Sequence, residues 1–255
     1  MKKCLLSFIV VLVITKIGYS QSMTKTQAEY FILGTLNDYM GRSLDPREKN
    51  LVDRYDRLQG PVVDALEPVI KSIYPNVSYK AERYKDKDGQ PLSYKIYSDT
   101  LARVLNSYYL FSAAKHWTDT GEEILSGRLN ADKIKTEEQQ LAFLAGVYAR
   151  FGVPCDTAYH ISIANSVSKA RLCTQLLAGL NSEPYYQIMR DFIPNGHHVY
   201  FHPSAKVKAY LAKYSLAINT RLEATQKHFI DSLSAKYDTK QHDAEMKPAT
   251  PKNNR

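Results

Sequence analysis

Cysteine and tryptophan are scarce, three and one in 255 residues. So few cysteines exclude a disulfide-stapled scaffold, and none stand in the paired spacing of a structural zinc site. The motifs of familiar catalysts are missing too: no G-x-S-x-G elbow of a serine hydrolase, no H-E-x-x-H of a zinc protease. No apolar run reaches the roughly 20 residues that a membrane-spanning helix needs. No internal repeat or low-complexity tract is legible. These absences leave a full-sized domain without a named reaction and with no cofactor expected.

What is present begins at the N-terminus. Lys2 and Lys3 precede an apolar run, Cys4–Ile14, and Gly18-Tyr19-Ser20 follow with small residues. That is the pattern of a cleavable export signal. Residues 1–20 are therefore read as a signal peptide cut near Ser20/Gln21, with no transmembrane segment after cleavage. Residues 21–237 are read as a single domain and residues 238–255 as a disordered polar tail. A periplasmic or secreted location follows. Loss of Lys2, Lys3 and Lys16 lowers the formal charge from +8 to +5 (8 − 3). So mildly basic a body gives no reason to expect a nucleic-acid partner.

The periodicity predicts an α+β fold, mostly helical. Ala28, Phe31, Ile32, Thr35 and Leu36 keep helical spacing. Asp45-Pro46 is a helix-opening pair, with Leu51, Tyr55 and Leu58 as the stripe behind it. A third helical segment runs from Val62 to Ile73. Period-2 alternation on either side of Asp88-Gly89 then predicts a β-hairpin over about 77–97. Helix resumes at Asp99 or Thr100 and runs to about Ala114. Thr136 and Gln139 form a capping box ahead of a core helix ending near Phe151. A β-α-β-β unit spans about 158–202, residues 183–192 fitting strand or helix, and Ser204 opens a long C-terminal helix.

Candidate chemistry is thin. Period-2 geometry places His160, His198 and His202 on one sheet face if their strands are neighbours, which makes them weak metal-ligand candidates. Cys155 and Cys173 either pair as a disulfide or stay as buried thiols. Asn165-Ser166, followed by Lys169 and Arg171, either caps a helix or offers an anion site at its N-terminus. Glu122-Glu123 and Glu137-Glu138 are adjacent on the chain, so as helix residues they point apart, and their structural reading is preferred. The chain is tyrosine-rich, with 19 in all. Tyr97, Tyr108, Tyr109, Tyr185 and Tyr186 are the candidate recognition surface, since a rigid ring with a polar tip suits binding. Trp117 is read as a core edge.

These signals add up to an exported, non-catalytic binding protein whose partner is a protein or small ligand, with no nucleic acid expected. The alternatives are a periplasmic hydrolase using the histidine-bearing sheet face, and an immunity-like protein that neutralises a toxin.

Overall fold

Two helices open with the same device. Thr24 and Thr136 each accept a hydrogen bond from the N–H three residues on, at Gln27 and Gln139, whose side chains accept from the cap N–H in return. The helices so started are α1 (Lys25–Thr35) and α4 (Glu137–Phe151). Both are apolar on nearly every side, and residues 30–35 and 141–150 are buried without a break. Such helices belong in the middle of a molecule, and they pack directly on each other. Glycine makes the approach feasible. A Cβ on Gly34 would stand 2.2 Å from the Phe143 carbonyl oxygen, and one on Gly146 1.9 Å from that of Phe31.

The computed structural model describes residues 23–153, 158–191 and 193–245. Each paired helix leads a half with the same order of elements. After α1 come β1 (Arg42–Leu44), β2 (Leu51–Asp56), α2 (Gly60–Ile73), β3 (Lys80–Lys85), β4 (Pro91–Tyr97) and α3 (Asp99–Asn106). After α4 come β7 (Gly152–Val153), β8 (Tyr159–Ala164), α5 (Val167–Gly179), β9 (Pro184–Met189), β10 (Gly196–Phe201) and α6 (Ala205–Tyr214). The sheets follow suit: β2-β4-β3 in the first half and β7-β8-β10-β9 in the second, all antiparallel. In both, the last strand slots between its two predecessors. The repeat is one of topology; in sequence it shows in the paired Thr-x-x-Gln starts and in Gly34 and Gly146, each ten residues after its cap (34 − 24 and 146 − 136).

One element breaks the symmetry. β7 lies beside β8, but β1 leaves β2 and pairs with β6 (Glu123–Leu129) of an extra hairpin formed with β5 (Tyr109–Trp117). A final helix, α7 (Leu216–Glu245), lies across α2 and α4. No described helix is long and apolar enough to cross a membrane.

The α+β class holds, with the predicted hairpin as β3–β4, the β-α-β-β unit as β8-α5-β9-β10, and residues 184–189 as strand. Four local expectations need correction. The helix expected from Asp45 is a short 3-10 turn (Pro46–Glu48) followed by β2: Val52 and Tyr55 are buried while Arg54 and Asp56 are exposed, and pairing with β4 overrides local propensity. The helix from Asp99 stops at Asn106, because Tyr109 onward finds a strand partner in β6. Trp117, read as a core edge, is 60% exposed at the tip of that hairpin. The long C-terminal helix breaks at Ser215, whose hydroxyl donates to the Ala145 carbonyl at 2.8 Å, and resumes as α7 past Tyr237 to Glu245. The expected signal peptide, Cys155 and residues 246–255 lie outside the described residues.

Candidate functional site

A charged centre is built where α1 ends. Its last carbonyls, at Gly34, Thr35 and Leu36, lack partners within the helix. Two cations from the second half take them. Arg150, on α4, donates to the Thr35 carbonyl at 2.6 Å, to the Arg54 carbonyl at 2.8 Å and to Gln59 Oε1 at 2.9 Å, and is ion-paired to Asp53. Its guanidinium lies 4.2 Å from the centroid of the Tyr55 ring. Lys169, on α5, donates to the Gly34 and Leu36 carbonyls and pairs with Asp38 Oδ2 at 3.2 Å. Tyr109 donates to Asp38 Oδ1 at 2.8 Å. All four charged groups are buried, and burial pulls the Lys169 ammonium below its usual pKa although Asp38 resists. They neutralise the negative end of a helix inside the molecule, which makes them framework.

The second sheet has one covered and one open face. Ile161, Ile163, His197, Val199 and Phe201 are buried beneath the helices. His160, Ser162, Tyr185, Gln187, His198 and Tyr200 stand on the other side. His160 Nε2 and His198 Nδ1 are 2.8 Å apart, with ring centroids at 4.9 Å and 18° between planes. Those values describe two imidazoles edge to edge in nearly one plane, joined by a hydrogen bond. Tyr200 stacks on His160 at 4.2 Å and 8°. Burial, then the neighbouring His198, lowers the His160 pKa to about 4, so this group is neutral at ordinary pH. His202 lies one residue beyond the strand and does not join them. Among the described residues no group of three His, Cys, Asp or Glu is placed to hold a metal. The two histidines spend facing nitrogens on each other.

The first sheet's open face carries charge. Register sets Arg54 opposite Lys95 and Lys95 opposite Glu82, with Lys80 opposite Tyr97. Glu48 pairs with both Arg54 and Lys95, and Lys80 pairs with Glu82. The two open faces meet at a depression of about 540 Å³ lined by Arg54 and Ser93 of one sheet, Ser162 and Ala164 of the other, and Tyr39 and Phe151 at the ends of the paired helices.

The five candidate tyrosines do not form one surface. Tyr97 is on the first open face and Tyr185, 64% exposed, on the second. Tyr186 points the opposite way, hydrogen-bonded to His197 Nδ1 at 2.7 Å. Tyr108 packs edge-on against Tyr30, and Tyr109 is buried. Cys173 is buried in α5, its thiol pushed up to about 12 by desolvation. Sequence reasoning missed Arg54, Lys80 and Lys95 as a group because Arg54 fell in a supposed helix. It also passed over Arg150, although an arginine inside an otherwise apolar core helix is itself a signal that a buried partner exists.

No family model matches the sequence, and no curated protein matches it. Among solved structures the chain is similar to the homing endonuclease I-DmoI. Mesophilic variants of that protein match at 12% identity over 74% of this chain and 96% of that one, TM-score 0.50. A doubly substituted variant bound to its nicked target DNA with manganese matches at 12% over 76% and 99%, TM-score 0.50. Full-length WhiA from Thermatoga maritima matches at 10% identity over 85% and 68%, TM-score 0.48. At such identities the likeness is one of fold.

That fold overturns the reading drawn from composition. An exported non-catalytic binding protein, its periplasmic-hydrolase and immunity-like alternatives, a periplasmic or secreted location and the absence of a nucleic-acid partner are not what the fold supports, since it is similar to that of an endonuclease crystallised with DNA. Net charge misled because it averages over the chain, whereas the charges of the first sheet are gathered on one face. Asp38 and Asp53 are buried and already ion-paired to Lys169 and Arg150, so they do not fit a divalent ion that needs free oxygen ligands.

Proposed function

We propose that the chain binds DNA, laying it against the open faces of its two sheets. One observation carries this: two antiparallel sheets leave a polar face uncovered, and both faces run into the same depression at the ends of α1 and α4. The major groove of B-DNA admits a β-ribbon. Arg54, Lys80 and Lys95 supply phosphate contacts from the first sheet. Their present partners Glu48 and Glu82 hold them in place at little cost, since exposed ion pairs are worth about 0–1 kcal/mol and yield readily to phosphate. Ser162, Gln187 and His198 supply hydrogen-bonding groups for base edges from the second sheet. The likeness in fold to a DNA-bound endonuclease supports the same reading.

Fluorescence anisotropy with labelled duplex DNA tests it. Binding without regard to sequence is expected in the range of about 10⁻⁴–10⁻⁶ M at physiological salt, tightening as salt falls with a slope near −0.9 per phosphate contacted. Selection from random duplexes then asks whether one sequence is preferred. A protein that stays folded and gives no anisotropy change at low salt ends the reading.

A further inference from the structure

Away from the sheet faces, a second depression of about 610 Å³ opens at the N-terminus of α5, between that helix and the β5–β6 hairpin. Arg128 of β6 and Arg171 of α5 line it with Ser112, Ser126, Ser166 and Ser168, and no Asp or Glu is among the described residues of its wall. Neither arginine has an ion-pair partner among the described residues, unlike Arg54, Arg83, Arg150 and Arg221, which all do.

The helix end is itself unspent. In α1 and α4 the N-cap hydroxyl accepts a bond from the first turn. In α5 the N-cap Ser166 makes no such bond. Its residue is 2% exposed, and its Oγ has no hydrogen-bond partner at all. A buried hydroxyl left unpaired costs about 1–3 kcal/mol, so the vacancy calls for an acceptor. The first-turn N–H groups of a helix lack internal acceptors, and the helix dipole favours negative charge there. Backbone amides, an orphan hydroxyl and two unpaired guanidinium groups in one acid-free depression form a site for a tetrahedral oxyanion.

We infer that this depression holds a phosphate group, gripped by Arg128, Arg171 and the start of α5. Two sources carry the same chemistry: a phosphodiester of bound DNA, which rests on the function proposed above, and free phosphate, which does not. Met40 and Asn165 of this depression adjoin Tyr39 and Ala164 of the one between the sheets, so a DNA backbone leaving the sheet faces passes close by.

The test uses the full chain and the variants Arg128→Gln, Arg171→Gln and their double, with Arg171→Lys as the conservative control. Calorimetric titration with inorganic phosphate against a chloride background should give saturable binding, weakened roughly tenfold or more in the double variant, as loss of charge-assisted hydrogen bonds predicts. Arg171→Lys should retain part of it. Both arginines are exposed, so the variants should melt where the parent does. In parallel, the salt slope of duplex binding is measured. A slope shallower by about 0.9 in the double variant assigns the phosphate to DNA. Phosphate binding lost with the slope unchanged assigns the site to free phosphate, and it survives even if the chain binds no DNA. Phosphate affinity absent from the parent, or equal in parent and double variant, together with an unchanged slope, overturns the inference.

Discussion

The two halves of the molecule share a topology and almost nothing else. The first sheet has three strands and an open face of arginine, lysine and glutamate; the second has four and an open face of imidazole and phenol rings and hydroxyls. At the seam the contrast becomes complementary. The carboxylates Asp38 and Asp53 come from the first half, and the cations ion-paired to them, Lys169 and Arg150, come from the second. Topology is held by core and close packing, which both halves keep, while outward residues are free to diverge. The charge split gives each half a reason to prefer the other over a copy of itself.

The largest effect should come from unbalancing that seam. Asp53→Ala leaves Arg150 buried without its counter-charge, a change worth about 3–5 kcal/mol. Urea unfolding should show the loss, with a melting temperature lower by roughly 10 °C for a chain of this size. Combining it with Arg150→Leu should restore part of it; no recovery would mean that Arg150 matters chiefly as the cap of α1. Next, Gly146→Ala presses a methyl group into the Phe31 carbonyl at 1.9 Å and should cost about 2–3 kcal/mol, at the upper end for overpacking. Gly179→Ala, whose added carbon meets nothing within 4 Å, should be near neutral in the same assay.

The contrast between open faces is sharpened by salt. Arg54→Gln with Lys95→Gln should flatten the salt dependence of duplex binding by about two phosphate contacts. His198→Ala or Tyr200→Ala should weaken binding by about 1 kcal/mol, near fivefold, with the slope unmoved. Equal slopes for both sets would erase the proposed division of labour. The smallest effect concerns pH. Unfolded, His160 takes its proton near pH 6.5; folded, only near pH 4. Between those values the unfolded chain binds more protons, so this contribution is full above about pH 6.5 and is lost as pH falls toward 4. Stability of the parent should therefore drop more steeply than that of His160→Gln across this window, and parallel curves would count against the buried, neutral histidine.

Elements with local signatures were readable from the chain. Thr136 and Gln139 announced α4, the alternation around Asp88-Gly89 announced β3 and β4, and the histidine spacing placed His160 and His198 on one face. What failed depends on partners outside the segment itself. β2 and β5 resemble helix until β4 and β6 supply hydrogen bonds, and the topological repeat shows mainly in strand order. The candidate interface was hidden for the same reason: Arg54 and Lys95 become neighbours through register, and Asp53 of β2 reaches Arg150 only where the meeting of α1 and α4 brings that strand to the end of α4.

That meeting has a consequence for how the chain is made. The apolar surface of α1 is covered by α4, and 116 residues (151 − 35) separate their ends. At roughly 5–20 residues per second, a ribosome needs about 6–23 s to deliver the covering helix after finishing the first. Throughout that interval Phe31, Ile32 and Leu33 have no lid of their own. A nascent chain in this condition should engage holdase chaperones early, and release from them should coincide with the emergence of Gly146.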